Sequence, residues 1–355
     1  MSASQREYLI AQSDVKLTNI FRLTVVASIV PTWNGAREHK SCSRPPTTYV
    51  NRPFLCQNQP LLESDVSYGK SKNIRVKQNI GYIVCGVILR GSSKDDAEVL
   101  LIQEVREDWY LPAGRLEAGE TIQDGMKREM KEEAGVDCEP LGLILVDHVR
   151  PAWYRFTYLA KQTGGELKTP SQRDSESIQA SWFRVDQLLK GTLPPGVQLR
   201  SKDVIRVVQL AVRRQFDQDH QQTLCHARTI ARPLDGLFAR FVLVSQNSVL
   251  LRRGHFPVIE YALHHHLAVV AVKFFGFLAN DACKSIDFKV ISIEALPTPA
   301  YEHDGSCISV LVDLPAIALK KQAQDDDYEW VDLGSRKELS ECVELWRQNY
   351  AALHL

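Results

Sequence analysis

The sequence predicts an α/β protein with a mixed sheet, followed by a second α/β or α+β domain. Its 355 residues are 44% hydrophobic and 24% charged, a composition typical of a globular chain long enough for two or three domains. The apolar runs IGYIVCGVIL (80–89) and EVLLIQ (98–103) have the length of strands and flank a polar turn. A segment with helical periodicity follows at 121–134.

Composition divides the chain into four segments. Residues 1–72 combine a short apolar stretch with proline-rich turns, so we expect a partly ordered N-terminal extension. Strand and helix patterns over 73–216 predict the first domain, and the polar stretch 217–223 is expected to be a linker. Residues 224–355 predict the second domain, with strand-like runs that include 268–275 and an amphipathic helix over 336–353.

Charge and cysteine usage limit the function classes. Lys plus Arg and Asp plus Glu both number 43, so no global field attracts bulk nucleic acid or a membrane surface. The apolar run 23–30 is far shorter than the roughly 20 residues that span a bilayer. Eight cysteines without a CxxC pair favour a reducing compartment. We therefore expect a protein of the cytoplasm, with the nucleus as the alternative, in an oligomeric state that the sequence leaves open.

The segment 121–134 follows the local rules for a helix. Thr121 can cap its N-terminus, and Gly135 stands where a left-handed residue ends many helices. Apolar residues repeat every four positions on one face: Ile122, Met126 and Met130.

Three glutamates share the face beside this apolar stripe. Glu129, Glu132 and Glu133 are spaced i, i+3 and i+4, so their carboxylates lie close together. Carboxylate oxygens are the ligands that Mg²⁺ or Mn²⁺ prefers, and a divalent cation would offset their repulsion. A charged helix is more often a solvated surface, so the helix alone leaves both interpretations open.

The flanking residues favour the metal site. Residues 114–136 read GRLEAGETIQDGMKREMKEEAGV. This pattern resembles the complete signature of the Nudix (MutT-type) hydrolases, and its strand, loop and helix context agrees. Within that family, segments 109–115, 163–169 and 176–182 look most like the animal 8-oxo-dGDP phosphatases. The resemblance covers about 77–216 and implies the Nudix α/β/α sandwich.

The resemblance also implies roles for the matching residues. The implied ligands of Mg²⁺ or Mn²⁺ are Gly114, through its carbonyl, and Glu129, Glu132 and Glu133. The implied catalytic residues are Glu129, Glu132 and Arg128, which orients the carboxylates. The implied substrate contacts are Leu100 and Arg115, and the structural positions of the motif are Glu120 and Gly135.

The general base and the purine contacts are less defined. Glu176 lies in a loop before Trp182 and is our candidate base, with Asp174 and Glu166 as competitors and a solvated loop residue as the plain alternative. Four aromatic residues of the strand at 153–160 could stack on a purine or simply fill the sheet: Trp153, Tyr154, Phe156 and Tyr158.

The sequence therefore predicts a metal-dependent nucleotide hydrolase that acts on phosphoanhydride bonds. By resemblance, its substrate is an oxidised purine nucleoside diphosphate, such as 8-oxo-dGDP, which gives 8-oxo-dGMP and phosphate and cleans the nucleotide pool. The alternative substrates are ADP-ribose, dinucleotide polyphosphates and coenzyme A. An alternative of another class is a nucleotide-binding regulator with vestigial hydrolysis, which the intact motif disfavours. A faint likeness between 181–188 and 328–333 leads us to expect that 224–355 is a degenerate Nudix-like fold.

Overall fold

The computed structural model describes most of the chain beyond residue 65. The described residues are 66–71, 73–217, 228–230, 234–267, 270, 288–295, 303–314, 327–348 and 350–354. Most of the expected N-terminal extension lies outside the described residues, although β1 (Val66–Tyr68) falls at its end. The expected linker, apart from Asp217, and the strand expected over 268–275, apart from Val270, also lie outside the described residues.

The first half of the chain builds a mixed sheet with helices. Its strands are β2 (Gly81–Arg90), β3 (Glu98–Glu104), β4 (Trp109–Tyr110), β5 (Ala113–Arg115), β6 (Val136–Arg150), β7 (Trp153–Gly165) and β8 (Ser177–Arg184). Its helices are α1 (Ile122–Ala134), α2 (Val185–Lys190) and α3 (Asp203–Phe216). The predicted α/β class is confirmed. Strand β7 ends at Gly165 and β8 begins at Ser177, so Glu176 lies in the connection between them, in the loop expected from the sequence.

Strand β2 is the centre of this sheet. It pairs in parallel with β7 and antiparallel with β3 and β5, while β6 lies antiparallel to β7 and β8 antiparallel to β3. Helix α1 packs closely on β2, since a β-carbon at Gly86 would overlap the sulfur of Met130. This close contact fixes the helix over the sheet beside strand β5.

The described part of the second half adds strands and a helix near the C-terminal end. Its strands are β9 (Arg228–Ile230), β10 (Leu237–Ser245), β11 (Ser248–Arg252), β12 (Val258–Tyr261), β13 (Phe288–Ala295), β14 (Ser306–Leu314), β15 (Tyr328–Asp332) and β16 (Ala351–His354). Helix α4 spans Lys337–Gln348. None of the helices in the described part of the chain is long and apolar enough to cross a membrane.

The two halves pair their strands in the same order. Strand β10 lies parallel to β14 and antiparallel to β12, as β2 does with β7 and β5. Strand β13 lies antiparallel to β14, as β6 does to β7. Strand β11 pairs antiparallel with β10 and β15, as β3 does with β2 and β8.

Buried tyrosines join the halves in one core. The hydroxyls of Tyr154 and Tyr261 lie 2.8 Å apart, and the Tyr82 hydroxyl donates a 3.0 Å hydrogen bond to the carbonyl of Asp304. All three tyrosines are at most 1% exposed, so these bonds satisfy polar groups that water cannot reach.

The C-terminal residues correct one sequence prediction. The helix expected over 336–353 ends at Gln348, and Ala351–His354 form strand β16 instead. Strand β16 pairs in parallel with β6 and antiparallel with β13, so it joins the two halves into one continuous sheet. These long-range hydrogen bonds outweigh the local helical periodicity of the segment.

Candidate active site

The acidic face of helix α1 is partly buried. The Thr121 hydroxyl accepts the backbone N–H of Asp124 at the N-terminus, and Gly135 adopts φ of 80° at the C-terminus, as predicted. Glu129 and Glu133 are buried on the side that faces the sheet, while the side chain of Glu132 is 48% exposed. Lys127 and Lys131 pair elsewhere, with Glu139 and Asp137.

Arg128 holds the acidic residues together. Its Nε donates to Oε1 of Glu120 at 2.6 Å, and its NH1 donates to Glu129 at 2.8 Å and to Glu132 at 2.9 Å. Its NH2 donates to the carbonyl of Arg115 at 3.0 Å. One guanidinium thus ties the helix to the preceding loop, which agrees with the orienting role implied for Arg128 and the structural role implied for Glu120.

Gly114 makes room for the Glu129 carboxylate. A β-carbon on Gly114 would overlap all three atoms of that carboxyl group. Only glycine therefore allows the helix carboxylate to lie against the backbone of β5. This contact puts a carboxylate beside the chain segment whose carbonyl is the implied metal ligand.

Burial and mutual repulsion perturb two of the carboxyl groups. Burial raises the pKa of Glu133 to about 8, the backbone N–H of Ala113 opposes the shift, and neighbouring glutamates add to it. Burial likewise raises the pKa of Glu129, although the Arg128 guanidinium opposes it. A site that holds carboxylates against their preference for water is one that a cation would stabilise.

The donors present fit a hard divalent cation. They are carboxylate oxygens. Glu129 and Glu133 are buried, and the Glu129 carboxylate lies against Gly114. Among the described residues, no group of three Asp, Glu, His or Cys side chains is already gathered into a metal-binding arrangement. In this structure Arg128 donates to Glu129 and Glu132, and the Ala113 N–H donates to Glu133 at 2.7 Å.

Two glutamates outside the helix belong to the same electrostatic cluster. Exposed Glu176 and half-buried Glu104, at the end of β3, both raise the pKa of Glu133 by their negative charge. Asp174 is different: although desolvation opposes the shift, hydrogen bonds from Lys168 and from backbone N–H groups hold its pKa at about 2. Exposed Glu166 stays among the sequence candidates, with no described contact of its side chain to the cluster.

A cavity of about 610 Å³ opens beside strand β5. Gly114 and Arg115 form part of its wall, so it is continuous with the backbone that contacts Glu129. Five cationic residues line it: Lys77, Arg115, Arg150, Arg155 and Arg200. Among the described lining residues, Asp203 is the single carboxylate. The cavity suits an anionic ligand with a flat, partly apolar portion.

The four aromatic candidates differ in burial and in contact with the cavity. Trp153 is half-buried and lines the cavity, with the Arg150 guanidinium 5.3 Å from its ring centre. Tyr154, Phe156 and Tyr158 are at most 1% exposed and fill the core. Leu100 also has no exposed surface and does not line this cavity, so the structure places it in the core between β3 and β8.

Sequence reasoning missed part of this arrangement. Glu104, Tyr110, Arg155 and Asp203 come from four separate elements and meet only in the fold. Glu104 pairs with Arg200, whose guanidinium lies 4.6 Å from the ring centre of Tyr110. Their sequence signal was weak: Glu104 follows a strand-like run, Arg155 is a charged residue inside an apolar one, and Asp203 lies near the start of a helix-like run.

Comparison with known proteins agrees with this fold. The NUDIX domain family model matches residues 82–206. A putative nudix hydrolase 1 of Caenorhabditis elegans is 30% identical over 79% of this chain and 81% of its own length. An 8-oxo-dGDP phosphatase, NUDT18, of Homo sapiens is 36% identical over 67% of this chain and 74% of its own length. The mouse NUDT18 protein is 44% identical over 39% of this chain and 41% of its own length.

The family match, over a mixed sheet with a glutamate-rich helix, identifies a hydrolase of phosphoanhydride bonds. The chain belongs to the Nudix family. Enzymes of this family act on small nucleotides and generally need divalent metal ions.

Proposed function

We propose that this Nudix hydrolase cleaves oxidised purine nucleoside diphosphates, converting 8-oxo-dGDP to 8-oxo-dGMP and phosphate with Mg²⁺ or Mn²⁺. The observation that carries the proposal is the continuity, through Gly114, between the carboxylates of α1 and a cationic cavity of nucleotide size. The substrate class follows from relatives in human, mouse and zebrafish, each named an 8-oxo-dGDP phosphatase.

The proposed metal ligands are those of the motif: Gly114 through its carbonyl, and Glu129, Glu132 and Glu133. A divalent ion bound there supplies charge neutralisation for the phosphates and lowers the pKa of a bound water. Arg128 keeps two of the carboxylates close together, and Glu120 keeps Arg128 in place. The protein contributes placement more than covalent chemistry, as expected for phosphoryl transfer.

Glu176 is the proposed general base. It is exposed, its charge acts on both Glu129 and Glu133, and it lies in a loop rather than in the packed sheet. Asp174 is a weaker candidate, since Lys168 and backbone N–H groups already occupy its carboxylate and lower its pKa. A base must be near the reacting water and still able to accept its proton.

The cavity is the proposed nucleoside and phosphate site. Trp153 offers a partly exposed indole on which a purine can stack, and Arg115 lines the cavity while its carbonyl accepts a hydrogen bond from Arg128. Asp203 supplies an acceptor for the N–H groups of a guanine edge, a role to which no acidic residue could be assigned from sequence.

Chromatographic separation of the reaction products tests the proposal directly, because cleavage of ADP-ribose or coenzyme A releases no inorganic phosphate. Purified protein is assayed with Mg²⁺ or Mn²⁺ against 8-oxo-dGDP, dGDP, 8-oxo-dGTP and ADP-ribose, with coenzyme A and a dinucleotide polyphosphate as further substrates. We expect the highest kcat/KM with 8-oxo-dGDP. Equal values for 8-oxo-dGDP and dGDP would remove the nucleotide-pool role, and faster cleavage of ADP-ribose would reassign the substrate.

We infer that residues 224–355 form a second, degenerate Nudix-like domain after the 73–216 domain and the 217–223 linker. The shared strand order supports this interpretation. The stretch between β12 and β13, residues 262–287, contains no glutamate, so it cannot reproduce the acidic helix face of α1. The role of this second domain would then be structural rather than catalytic.

The proposed setting is a reducing compartment, the cytoplasm or the nucleus. Two buried cysteines of the first half are free thiols: Cys85 and Cys138. Free buried thiols are typical of reducing compartments. We propose a small nucleotide as the partner and neither bulk nucleic acid nor membrane, because the formal net charge is zero.

A further inference from the structure

The cavity wall is connected by hydrogen bonds to the C-terminal end of the chain. Strand β16 runs parallel to β6, with His354 in register with Asp147. The Nδ1 atom of His354 lies 2.9 Å from Oδ1 of Asp147. His354 is the last residue that the structure describes, about 200 positions beyond the motif helix.

Asp147 is a buried acceptor between the two halves. Its carboxylate is 1% exposed, and Oδ2 accepts the Nε–H of Arg155 at 2.9 Å. Oδ1 accepts from NH2 of Arg206 at 2.7 Å as well as lying against His354. A buried carboxylate needs its full set of donors, because each missing donor leaves a desolvated negative charge less well compensated.

Arg155 carries this constraint into the cavity. Its NH1 contacts Oδ2 of Asp203 at 2.7 Å and donates to the hydroxyl of Tyr110. The Tyr110 hydroxyl in turn donates to Oδ2 of Asp203 at 2.8 Å. Arg155, Tyr110 and Asp203 all line the cavity, so they present a fixed pattern of donors and acceptors to its contents.

We propose that His354 is a positioning residue for the nucleotide cavity: its bond to Asp147 orients Arg155, and Arg155 orients Tyr110 and Asp203. The inference rests on the proposed function of the cavity. It gives the second half of the chain a specific task, to complete the substrate site of the first half with its last strand. The glutamates of α1 lie outside this series of bonds, so the chemical step should be spared.

Two substitutions of His354, by residues of similar size, distinguish a positioning role from a packing role. The amide nitrogen of asparagine can take the place of Nδ1, whereas glutamine places its amide nearer the position of Nε2 and withdraws the bond to Asp147. We expect His354→Gln to raise KM for 8-oxo-dGDP about fivefold with kcat within about twofold of wild type. His354→Asn should keep the wild-type KM, a rescue that a role in packing would not give.

Arg347→Ala is the matched control. Arg347 lies seven residues earlier, on α4, and its Nε and NH2 donate to Asp313 at 3.0 and 2.9 Å, away from the cavity. It should lower the urea midpoint without changing KM. An unchanged KM in His354→Gln, or equal KM values in the Asn and Gln variants, would overturn the positioning role.

A second readout does not depend on turnover. In protein labelled with ¹⁵N-arginine, the Nε–H resonance of Arg155, assigned with Arg155→Lys, reports its bond to Asp147. We expect this resonance to shift and exchange faster in His354→Gln and to match wild type in His354→Asn. Wild-type protein that hydrolyses none of the nucleotides would contradict the proposed function. An Arg155 signal unchanged in His354→Gln would contradict the positioning role alone.

Discussion

The Cα atom of Gly114 lies against the carboxylate of Glu129, with no space between them for a β-carbon. The backbone of β5 and the acidic face of α1 therefore approach each other more closely than any other residue would allow. The proposed metal site depends on this approach, since it brings a backbone carbonyl and a buried carboxylate together.

Gly114→Ala should reduce kcat at least about a hundredfold, because the added methyl group must displace the Glu129 carboxylate. The measurement is phosphate release at saturating Mg²⁺, with the urea midpoint as a check on folding. Gly164→Ala is the control, since its β-carbon would meet only ordinary contacts with Asp137 at 3.4 Å or more. Full activity in Gly114→Ala would show that the contact is not needed.

Glu132→Gln and Glu133→Gln should each lower turnover by about a hundredfold or more while the fold stays intact. Each change removes a proposed metal ligand without burying a new group, and Glu132 is already 48% exposed. Glu139→Gln serves as the control, because Glu139 pairs with Lys127 on the opposite side of the helix. Wild-type rates in both variants would exclude these residues as metal ligands.

Glu133 should make the metal-free protein less stable as the pH rises. The folded-state pKa of Glu133 is raised to about 8 from an ordinary value of 4.5. Between these two values the folded state keeps a proton that the unfolded state has released, so the free energy of unfolding falls with pH. Its contribution is complete below about pH 4.5 and is lost as the pH passes about 8.

This pH dependence can be isolated with Glu133→Gln. Urea unfolding in EDTA at pH 5, 6, 7 and 8 should show a wild-type slope that is more negative by up to about 1.4 kcal/mol per pH unit than that of the variant. Added Mg²⁺ should reduce the wild-type slope, because a metal ligand binds in its deprotonated form. Equal slopes in EDTA would contradict the raised pKa.

Glu176→Gln should lower kcat more than tenfold and leave the metal dependence of the rate nearly unchanged. A proton acceptor acts in the chemical step, whereas a ligand would change the Mg²⁺ concentration for half-maximal activity. Glu166 is an exposed residue at the other end of the β7–β8 connection. Glu166→Gln is therefore the comparison and should leave kcat nearly unchanged. If both variants kept wild-type kcat, Glu104 would become the leading candidate.

The motif helix was predictable because its signals are local. Thr121 caps it, Gly135 ends it, and its apolar spacing is visible within 14 residues. The residues that flank the helix in the motif favoured a metal site. The acidic face was therefore predictable without knowledge of the tertiary structure. The structure adds the closeness of Gly114 to Glu129, which depends on how α1 packs against β5.

Features that depend on distant pairing were not predictable in this way. Residues 351–354 continue an amphipathic helical pattern, yet they form a strand because β6 and β13 supply hydrogen-bond partners. The cavity wall is a second example: Arg155 and Asp203 are far apart in sequence and meet through a 2.7 Å ion pair. The substrate contact that the resemblance implies for Leu100 stays a prediction, since the side chain is fully buried here.

Trp153 should determine how tightly the purine binds. It is the aromatic residue of its strand that reaches the cavity, whereas Tyr154 and Phe156 are enclosed in the core. Stacking on an indole contributes about 1–3 kcal/mol per base, so Trp153→Ala should raise KM for 8-oxo-dGDP about tenfold with a small change in kcat. The KM of Trp153→Phe should lie between those of wild type and Trp153→Ala.

Trp182→Ala is the control. The Trp182 ring, on β8, has its centre 4.4 Å from the Arg90 guanidinium and lies outside the cavity lining, so its loss should lower stability without raising KM. Similar KM values in Trp153→Ala and wild type would place the purine elsewhere, because the stacking surface would then carry no binding energy.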